Sequence, residues 1–183
     1  NGRDERMKRS EYEACAARAR EIYAAAHVYL TEDEKGRIEV ADFGLNRVER
    51  VGLQILTYIN TPRVCAKEMV LFPGQTCPEH CHVPTNGEPG KEETFRCRFG
   101  EVELFVDGKD DPAGVTLPDT RVTAFRRIVL HPGEQFTIMP GVKHWFRGGA
   151  EGAVVSEFST HSMDETDVFT DPEVIRTPVI EAD

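Results

Sequence analysis

The most informative stretch of the sequence is GQTCPEHCH, residues 74–82. A polar loop follows it, and then ETFRCRFG, residues 93–100. The two histidines, His80 and His82, are two residues apart, so on a β-strand both imidazoles project from the same face. That spacing lets both rings reach one metal ion. A carboxylate on the following strand, Glu93, would add an oxygen ligand. The stretch therefore predicts a metal site built on two neighbouring strands.

A further histidine, His144, follows the tight turn of residues 140–143, PGVK, where a barrel strand can aim it at the same point. Three histidines and one carboxylate leave coordination positions open for substrate and suit one divalent ion, Mn²⁺, Fe²⁺, Co²⁺, Ni²⁺ or five-coordinate Zn²⁺. A zinc site that includes Cys77 and Cys81 is a weaker alternative, because Cys81 lies between the two histidines and faces away from them. The predicted metal ligands are His80, His82, Glu93 and His144.

The chain as a whole is predicted to be mainly β, with one helix near its start. Segment 10–30 is Ala-rich, lacks Gly and Pro, and has apolar residues at intervals of three and four, which predicts an amphipathic helix. Short runs rich in Val, Ile, Thr and Phe follow, separated by Pro-Gly turns, as in a sandwich or barrel. The candidate strands are 53–60, 64–72, 93–99, 101–107, 125–130, 134–139, 144–147 and 153–159. We expect a disordered or tag-like start (1–9), then one domain (10–183) with a barrel core at about 53–159 and an extension over 160–183.

Composition narrows the possible partners. The 183 residues carry 22 basic and 32 acidic side chains, a formal net charge of −10. Phosphate binding needs clustered cations, so this balance, without a Lys/Arg-rich block, argues against a nucleic-acid partner. No apolar run approaches the roughly 18 to 20 residues that span a bilayer, so no membrane partner is expected. The five scattered cysteines are typical of free thiols in a reducing compartment, which predicts a cytoplasmic protein.

Two stretches resemble the motifs of the cupin superfamily. The first motif, G-x5-HxH followed by E-x6-G, matches Gly74, His80, His82, Glu93 and Gly100. The second is represented by PGVKH at residues 140–144. The chain departs from the pattern in a longer loop between the motif's histidines and glutamate, and at Met139 and Gly148. The resemblance implies a cupin-type jelly-roll β-barrel, here with an N-terminal α-helix, and its spacing favours Glu93 over the adjacent Glu92 as ligand.

A narrower resemblance extends over nearly the whole chain. The segments MKRSE, FPGQTCPEHCH, NGEPGKEETFRCRFGEVELFV, SEFST and DETDVFTDP are similar to the bacterial D-lyxose isomerase family of manganese-dependent sugar isomerases. This resemblance implies interconversion of D-lyxose with D-xylulose and, more loosely, of D-mannose with D-fructose. It also implies Mn²⁺ as the ion, a homodimer and, by position, the same four metal ligands.

Such a reaction needs a base that moves a proton between the two carbons and an electrophile that holds the oxygens. Glu157 is the candidate base, because in the strand VVSEFS it shares a face with Val155 and Ser159 and would point inward. Lys67 interrupts the apolar run VCAKEMVLF, so either Lys67 or Glu68 faces the barrel interior. Lys67 is expected to assist by protonating or neutralising an oxygen of a cis-enediol.

Four further polar side chains are candidates for binding the sugar, since sugars are held by paired polar groups. They are Gln75, Glu79, Arg96 and Lys91. Lys91 lies in the polar loop and is also a candidate lid residue that closes over the substrate. The acidic cluster Asp164, Glu165 and Asp167 is expected to form a solvated turn, from which one carboxylate could fold back over the mouth of the barrel.

Three other functions remain open at this stage. An oxygen-using Fe²⁺ cupin dioxygenase would share the ligand set, and a non-catalytic cupin would bind a sugar without converting it. A phosphosugar isomerase would need a cluster of cations for the phosphate. Strand alternation scatters the available arginines, Arg96, Arg98, Arg126 and Arg127, so an unphosphorylated sugar is the favoured substrate.

Overall fold

The N-terminal part of the chain forms one long helix beside a short ribbon of two strands. The computed structural model describes residues 6–108 and 112–183. Helix α1, Arg9–Ala25, ends before the predicted boundary at residue 30, because His27 adopts a left-handed backbone with φ of 58°. Residues Arg6–Lys8 form strand β1, which pairs in parallel with a strand near the C-terminus. The predicted disordered start is therefore wrong for residues 6–9, and residues 1–5 lie outside the described part.

The remaining elements are mostly strands. In chain order they are α2 (Glu32–Lys35), β2 (Glu39–Ala41), β3 (Leu53–Asn60), β4 (Cys65–Leu71), β5 (Thr76–Cys81), β6 (Glu93–Val106), β7 (Arg126–Leu130), β8 (Gln135–Ile138), β9 (His144–Ser159), a 3₁₀ turn (Asp164–Thr166), β10 (Val168–Phe169) and β11 (Val179–Glu181). Among the described residues, no helix combines the length and apolar character that a membrane crossing requires. The architecture is the predicted one, a mainly β, cupin-type jelly-roll barrel with an N-terminal helix.

The barrel is one curled antiparallel sheet organised around β6 and β9. Within the described residues its path runs β10-β5-β9-β4-β3-β2, and β6 pairs with β7, β8 and β9. Each of these two long strands was predicted as two separate strands. Both bend without breaking, because the glycine at each bend permits a close approach of backbones. A Cβ on Gly100 would lie 2.1 Å from the carbonyl oxygen of Gly152, and both glycines have positive φ.

Apolar side chains form two main layers, one inside the barrel and one under α1. The inner layer includes Leu53, Met69, Leu71, Phe95, Leu104 and Val155, all buried. In the outer layer, Cys15, Ala16, Ala19 and Tyr23 of α1 pack with Leu56, Val70, Phe72 and Val154 of the sheet. This packing explains the helical spacing of apolar residues in the sequence, since burying one face of a helix is what stabilises it in water.

The side chains of strand β5 do not alternate regularly between the two faces of the sheet. Cys77 pairs with Phe146 and His80 pairs with His144, so β5 has one more residue than β9 between these two pairs. This extra residue is a β-bulge, which re-aims the side chains that follow it. Cys77 and His80 consequently both point into the barrel although they are three residues apart.

Candidate metal centre

Three histidines and one glutamate converge inside the barrel. The candidate ligand atoms of His80, His82, Glu93 and His144 all lie within 4.8 Å of one another, and all four residues are buried. Glu93 Oε1 lies 2.9 Å from His144 Nε2 and 3.1 Å from His82 Nε2. The neighbouring Glu92 is exposed. The structure thus brings together the four residues that the sequence predicts as metal ligands.

Each of the three rings is held through its other nitrogen. His80 Nδ1 lies 2.9 Å from the carbonyl oxygen of Pro78, and His144 Nδ1 lies 2.9 Å from that of Val142. His82 Nδ1 instead lies 2.7 Å from the Asp167 carboxylate. An Nδ1–H that donates to an oxygen leaves Nε2 as a lone-pair donor, so the contacts orient three Nε2 atoms toward Glu93.

The unpartnered atoms of this cluster fit a cation. His144 Nε2 and Glu93 Oε2 are buried and make no hydrogen bond, although Lys91 Nζ forms an ion pair with Glu93 Oε2. Buried polar atoms are almost always hydrogen-bonded, so His144 Nε2, which faces the Glu93 carboxylate, needs another partner. Three imidazole nitrogens and a carboxylate oxygen match first-row divalent ions. The cluster could therefore hold a metal ion.

Burial and nearby charges set the protonation of these groups. Burial and the two neighbouring histidines hold the pKa of His80 well below its ordinary value, which keeps that ring neutral. Burial alone would raise the pKa of Glu93, but Lys91 and His82 outweigh it and keep the pKa well below its ordinary value. Likewise, burial would lower the pKa of His82, but Glu93 and Asp167 raise it to about 9. The site thus combines an ionised carboxylate with a neutral His80.

A chain of buried charges adjoins the cluster. Lys91 Nζ lies 3.0 Å from Glu93 Oε2 and 3.2 Å from Glu157 Oε2. Lys67 Nζ lies 4.0 Å from the same Glu157 oxygen and 3.2 Å from Asp164 Oδ1. Burial raises the pKa of Glu157 above its ordinary value in spite of the two lysines. Lys67 is therefore the residue of its pair that faces the interior. Glu68 instead accepts a hydrogen bond from Ser156, and its backbone carbonyl accepts one from Tyr23 of α1.

Two cavities meet at this site. An inner cavity of about 30 Å³ is lined by three residues of the cluster, by both lysines and by aromatic side chains. The three cluster residues are His80, His82 and Glu93, and the aromatic side chains include Phe43, Phe95 and Phe169. A mouth cavity of about 410 Å³ opens beside it, between the loop over residues 83–92 and the segment after β9. Three side chains line both cavities and separate them, namely His82, Lys91 and Asp167.

Comparison with known proteins places the chain in a family. The family model for D-lyxose isomerase matches residues 95–183. A D-lyxose ketol-isomerase from Cohnella laeviribosi is 54% identical over 97% of this chain and 100% of its own length. A D-lyxose/D-mannose isomerase from Thermosediminibacter oceani is 52% identical over 96% of this chain and 99% of its own length. This chain belongs to the D-lyxose isomerase family.

A solved structure shares the fold of this D-lyxose isomerase family member. The L-ribose isomerase of Cellulomonas parahominis superposes with a TM-score of 0.77, covering 96% of this chain and 99% of the other, at 22% sequence identity. At that level of identity the likeness concerns the fold alone.

Three of the predicted sugar-binding residues of this family member make other contacts. The Gln75 amide is bonded to the backbone of Val48 and Phe72 and to the side chain of Gln54. The carboxylate oxygens of Glu79 accept four hydrogen bonds from Thr123, Ala124 and Thr170. Arg96 is partly exposed and donates to Gln135. None of the three side chains lines either cavity, whereas Lys91 lines both; sugar binding by Gln75, Glu79 and Arg96 stays a prediction.

Sequence reasoning missed one charged residue of this site. Arg176 lines the inner cavity and contacts Asp164 Oδ2 at 3.0 Å, and it also pairs with Glu39. Burial would raise the pKa of Asp164, but Arg176 and Lys67 outweigh it and lower that pKa. No local signal marks Arg176, because it lies in a C-terminal segment without alternation or motif. The acidic cluster beside it was expected to be a solvated turn, yet Asp164 and Asp167 both reach the interior.

Proposed function

We propose that this chain is a metal-dependent aldose–ketose isomerase that interconverts D-lyxose with D-xylulose and D-mannose with D-fructose. The names of the two relatives, at 52% and 54% identity over almost the full chain, support the reaction class and the sugars. The observation that carries the proposal is the buried Glu157 beside a cluster with metal-ligand geometry. Ketol isomerisation requires a base and an electrophile. A carboxylate would serve as the base, and a metal ion in the adjacent cluster would serve as the electrophile.

We propose Mn²⁺ as the ion, held by His80, His82, Glu93 and His144. When bound, a divalent cation would supply Lewis-acid polarisation of the sugar carbonyl. Related ions compete for such a site in the general order of divalent affinities, so Co²⁺, Ni²⁺, Fe²⁺ and Zn²⁺ are alternatives that a metal titration separates.

Glu157 is proposed as the base that moves a proton between the two carbons of the open-chain sugar, through a cis-enediol. Burial raises its pKa, and a carboxylate with a raised pKa is a stronger proton acceptor. The ammonium of Lys91, 3.2 Å away, favours the ionised form and fixes its orientation. Lys91 thus has two proposed roles. It holds the Glu157 carboxylate, and it forms part of the wall between the inner cavity and the mouth cavity.

Lys67 is proposed to donate a hydrogen bond or proton to a substrate oxygen during the same step. Its Nζ is 3.0 Å from Ser162 Oγ and 3.2 Å from Asp164 Oδ1, contacts that hold the ammonium in the cavity wall. Burial would lower the pKa of Lys67, but Glu157 and Asp164 outweigh it and raise that pKa. Lys67 therefore enters the reaction as a cation, suited to neutralise negative charge that develops on oxygen.

A turnover assay on metal-stripped protein tests the proposal. D-lyxose and D-mannose are compared with other aldoses, with Mn²⁺, Co²⁺, Ni²⁺, Zn²⁺ or no ion added. We expect Mn²⁺ to restore isomerisation of D-lyxose and D-mannose in the wild-type chain but not in His82→Ala. Metal binding without turnover of any sugar would overturn the proposal, and oxygen consumption with an organic substrate would replace it with the dioxygenase.

A second assay tests the route. Isomerisation in D₂O separates proton transfer from a hydride shift, since the proton on a carboxylate exchanges with solvent. We expect solvent deuterium in the product. Complete retention of the substrate hydrogen would favour a hydride shift over proton transfer through Glu157.

We also propose that the chain acts as a cytoplasmic homodimer. All five cysteines are free thiols, which fits a reducing compartment. The outer face of β3 and β9 presents Tyr58, Ile59 and Phe158 at 42%, 48% and 50% exposure, and such an apolar patch suits a contact with a second copy. Light scattering is expected to give twice the chain mass for the wild type and the single mass for Phe158→Glu, and a monomeric wild type would contradict the proposal.

A further inference from the structure

His82 differs from the other two histidines of the cluster in what holds its Nδ1. His80 and His144 each contact a backbone carbonyl two residues earlier, which is a local feature of their own strands. His82 contacts the carboxylate of Asp167, 85 positions away in the chain, at 2.7 Å. The Asp167 side chain is 6% exposed, so the contact is shielded from water.

The fold holds Asp167 in place from both sides. It directly follows the 3₁₀ turn Asp164–Thr166, and its backbone N–H donates to the Asp164 carbonyl at 3.2 Å. It directly precedes β10, whose Val168 pairs with Cys81 and whose Phe169 pairs with His80 in antiparallel register. That register continues one position further and sets Asp167 opposite His82.

We propose that Asp167 is a positioning residue for the metal, acting through His82; this inference rests on the proposed metal-dependent function. A carboxylate that accepts from Nδ1–H fixes the ring and makes Nε2 a stronger donor to a cation. Backbone carbonyls do this less strongly, because a charged acceptor gives the stronger hydrogen bond. Of the three rings, His82 is also the one that lines both cavities, so its orientation governs the wall between mouth and interior.

The segment of residues 164–167 contacts both parts of the site, the histidine cluster and Lys67. Asp167 holds a metal ligand, while Asp164, three residues earlier, holds Lys67 and is itself held by Arg176. A segment outside the barrel strands thus supplies one carboxylate to each half of the site. Loss of the Asp167 contact is expected to act on metal binding, and loss of the Asp164 contact on Lys67.

Metal binding tests this without an activity measurement. Co²⁺ is titrated into the metal-free chain by calorimetry, and the visible absorption of the bound Co²⁺ reports its ligand geometry. For Asp167→Ala we expect Co²⁺ to bind about 10- to 100-fold more weakly, with an altered spectrum. Asp167→Asn retains an acceptor without charge and is expected to fall between that variant and the wild type. Glu165→Gln, a neighbouring exposed carboxylate, is the matched control and should bind Co²⁺ as the wild type does.

Each outcome bears on the inference. Wild-type Co²⁺ affinity and spectrum in both Asp167 variants would overturn it. Circular dichroism of the metal-free chains identifies a folding defect, and if Asp167→Ala fails to fold, Asp167→Asn decides the matter. Wild-type protein that binds Co²⁺ but converts no sugar would overturn the proposed function and leave the role of Asp167 intact.

Discussion

Two sets of buried polar side chains come from the same short segment of chain, residues 75–82, and they differ in how their atoms are partnered. Gln75 and Glu79 have their side-chain oxygens and the Gln75 amide nitrogen bonded to protein groups. The second set, His80 and His82, turns its Nε2 atoms toward Glu93, in a cluster where His144 Nε2 is buried without a hydrogen bond.

The difference separates polar residues whose hydrogen bonds are all made within the fold from those that have capacity left for a ligand. A fully hydrogen-bonded buried group has no capacity left for a substrate, and removing it leaves its partners unsatisfied. A cluster whose buried atoms lack hydrogen bonds and converge on one point has capacity left to bind another species. Burial alone does not distinguish the two sets, since Gln75, Glu79, His80 and His82 are all buried.

The largest expected effect comes from removing the shared carboxylate of the ligand set. Glu93→Gln weakens an oxygen ligand and should reduce metal affinity by at least about 100-fold and abolish measurable turnover. Calorimetric metal titration and the D-lyxose assay check this. Wild-type metal binding by this variant would show that Glu93 is not a ligand. It would also contradict the assignment of the cluster to metal binding.

Glu157→Gln separates the base from the ligands. We expect kcat to fall by about 10²- to 10⁴-fold, because the proton acceptor is lost. The metal dissociation constant should stay within about threefold of wild type. Glu151→Gln, an exposed site on the same strand, serves as the control with unchanged kinetics. A large change in metal affinity without a change in kcat would assign Glu157 to the metal instead.

Glu79→Ala tests the structural side of the comparison. It leaves the buried N–H of Ala124 and the part-buried donors of Thr123 unpartnered and should lower the free energy of unfolding by about 3 kcal/mol, measured with urea. Burial would raise the pKa of Glu79, but hydrogen bonds from Thr123 and Thr170 lower it below its ordinary 4.5.

That lowered pKa sets the pH dependence of the effect. The stabilisation is fully present above the ordinary pKa of 4.5 and is lost as pH falls through the lowered value. The gap between wild type and variant should therefore be constant near neutral pH and shrink in acid. A gap that grows as pH falls would contradict this account of Glu79.

Arg96→Ala is expected to have the smallest effect. The Arg96 guanidinium is partly exposed and donates a hydrogen bond to the side-chain oxygen of the exposed residue Gln135, at 3.1 Å. Its removal should change the free energy of unfolding by less than about 0.5 kcal/mol and leave KM for D-lyxose within about twofold. A tenfold rise in KM would support the sequence prediction that Arg96 binds the sugar.

The mainly β barrel, the helix and the four-residue cluster were all predictable because each rests on a short period or a local motif. Strand alternation places His80 beside His82, and the PGVK turn precedes His144. Which polar side chains bind the sugar is harder to predict, because Gln75, Glu79 and Arg96 are residue types that occur both in sugar sites and in structural hydrogen bonds. Their role depends on which partners the fold supplies.

By itself the sequence determined which four residues form the buried cluster, the inward carboxylate Glu157 and the family. The tertiary structure decided that Lys67 and not Glu68 faces the site, that Arg176 belongs to it, and that Asp167 holds His82. The physical reason is the range of each interaction. A side-chain period of two is fixed within a strand, whereas contacts between residues 85 or more positions apart form only when the barrel closes and the C-terminal segment pairs with β5.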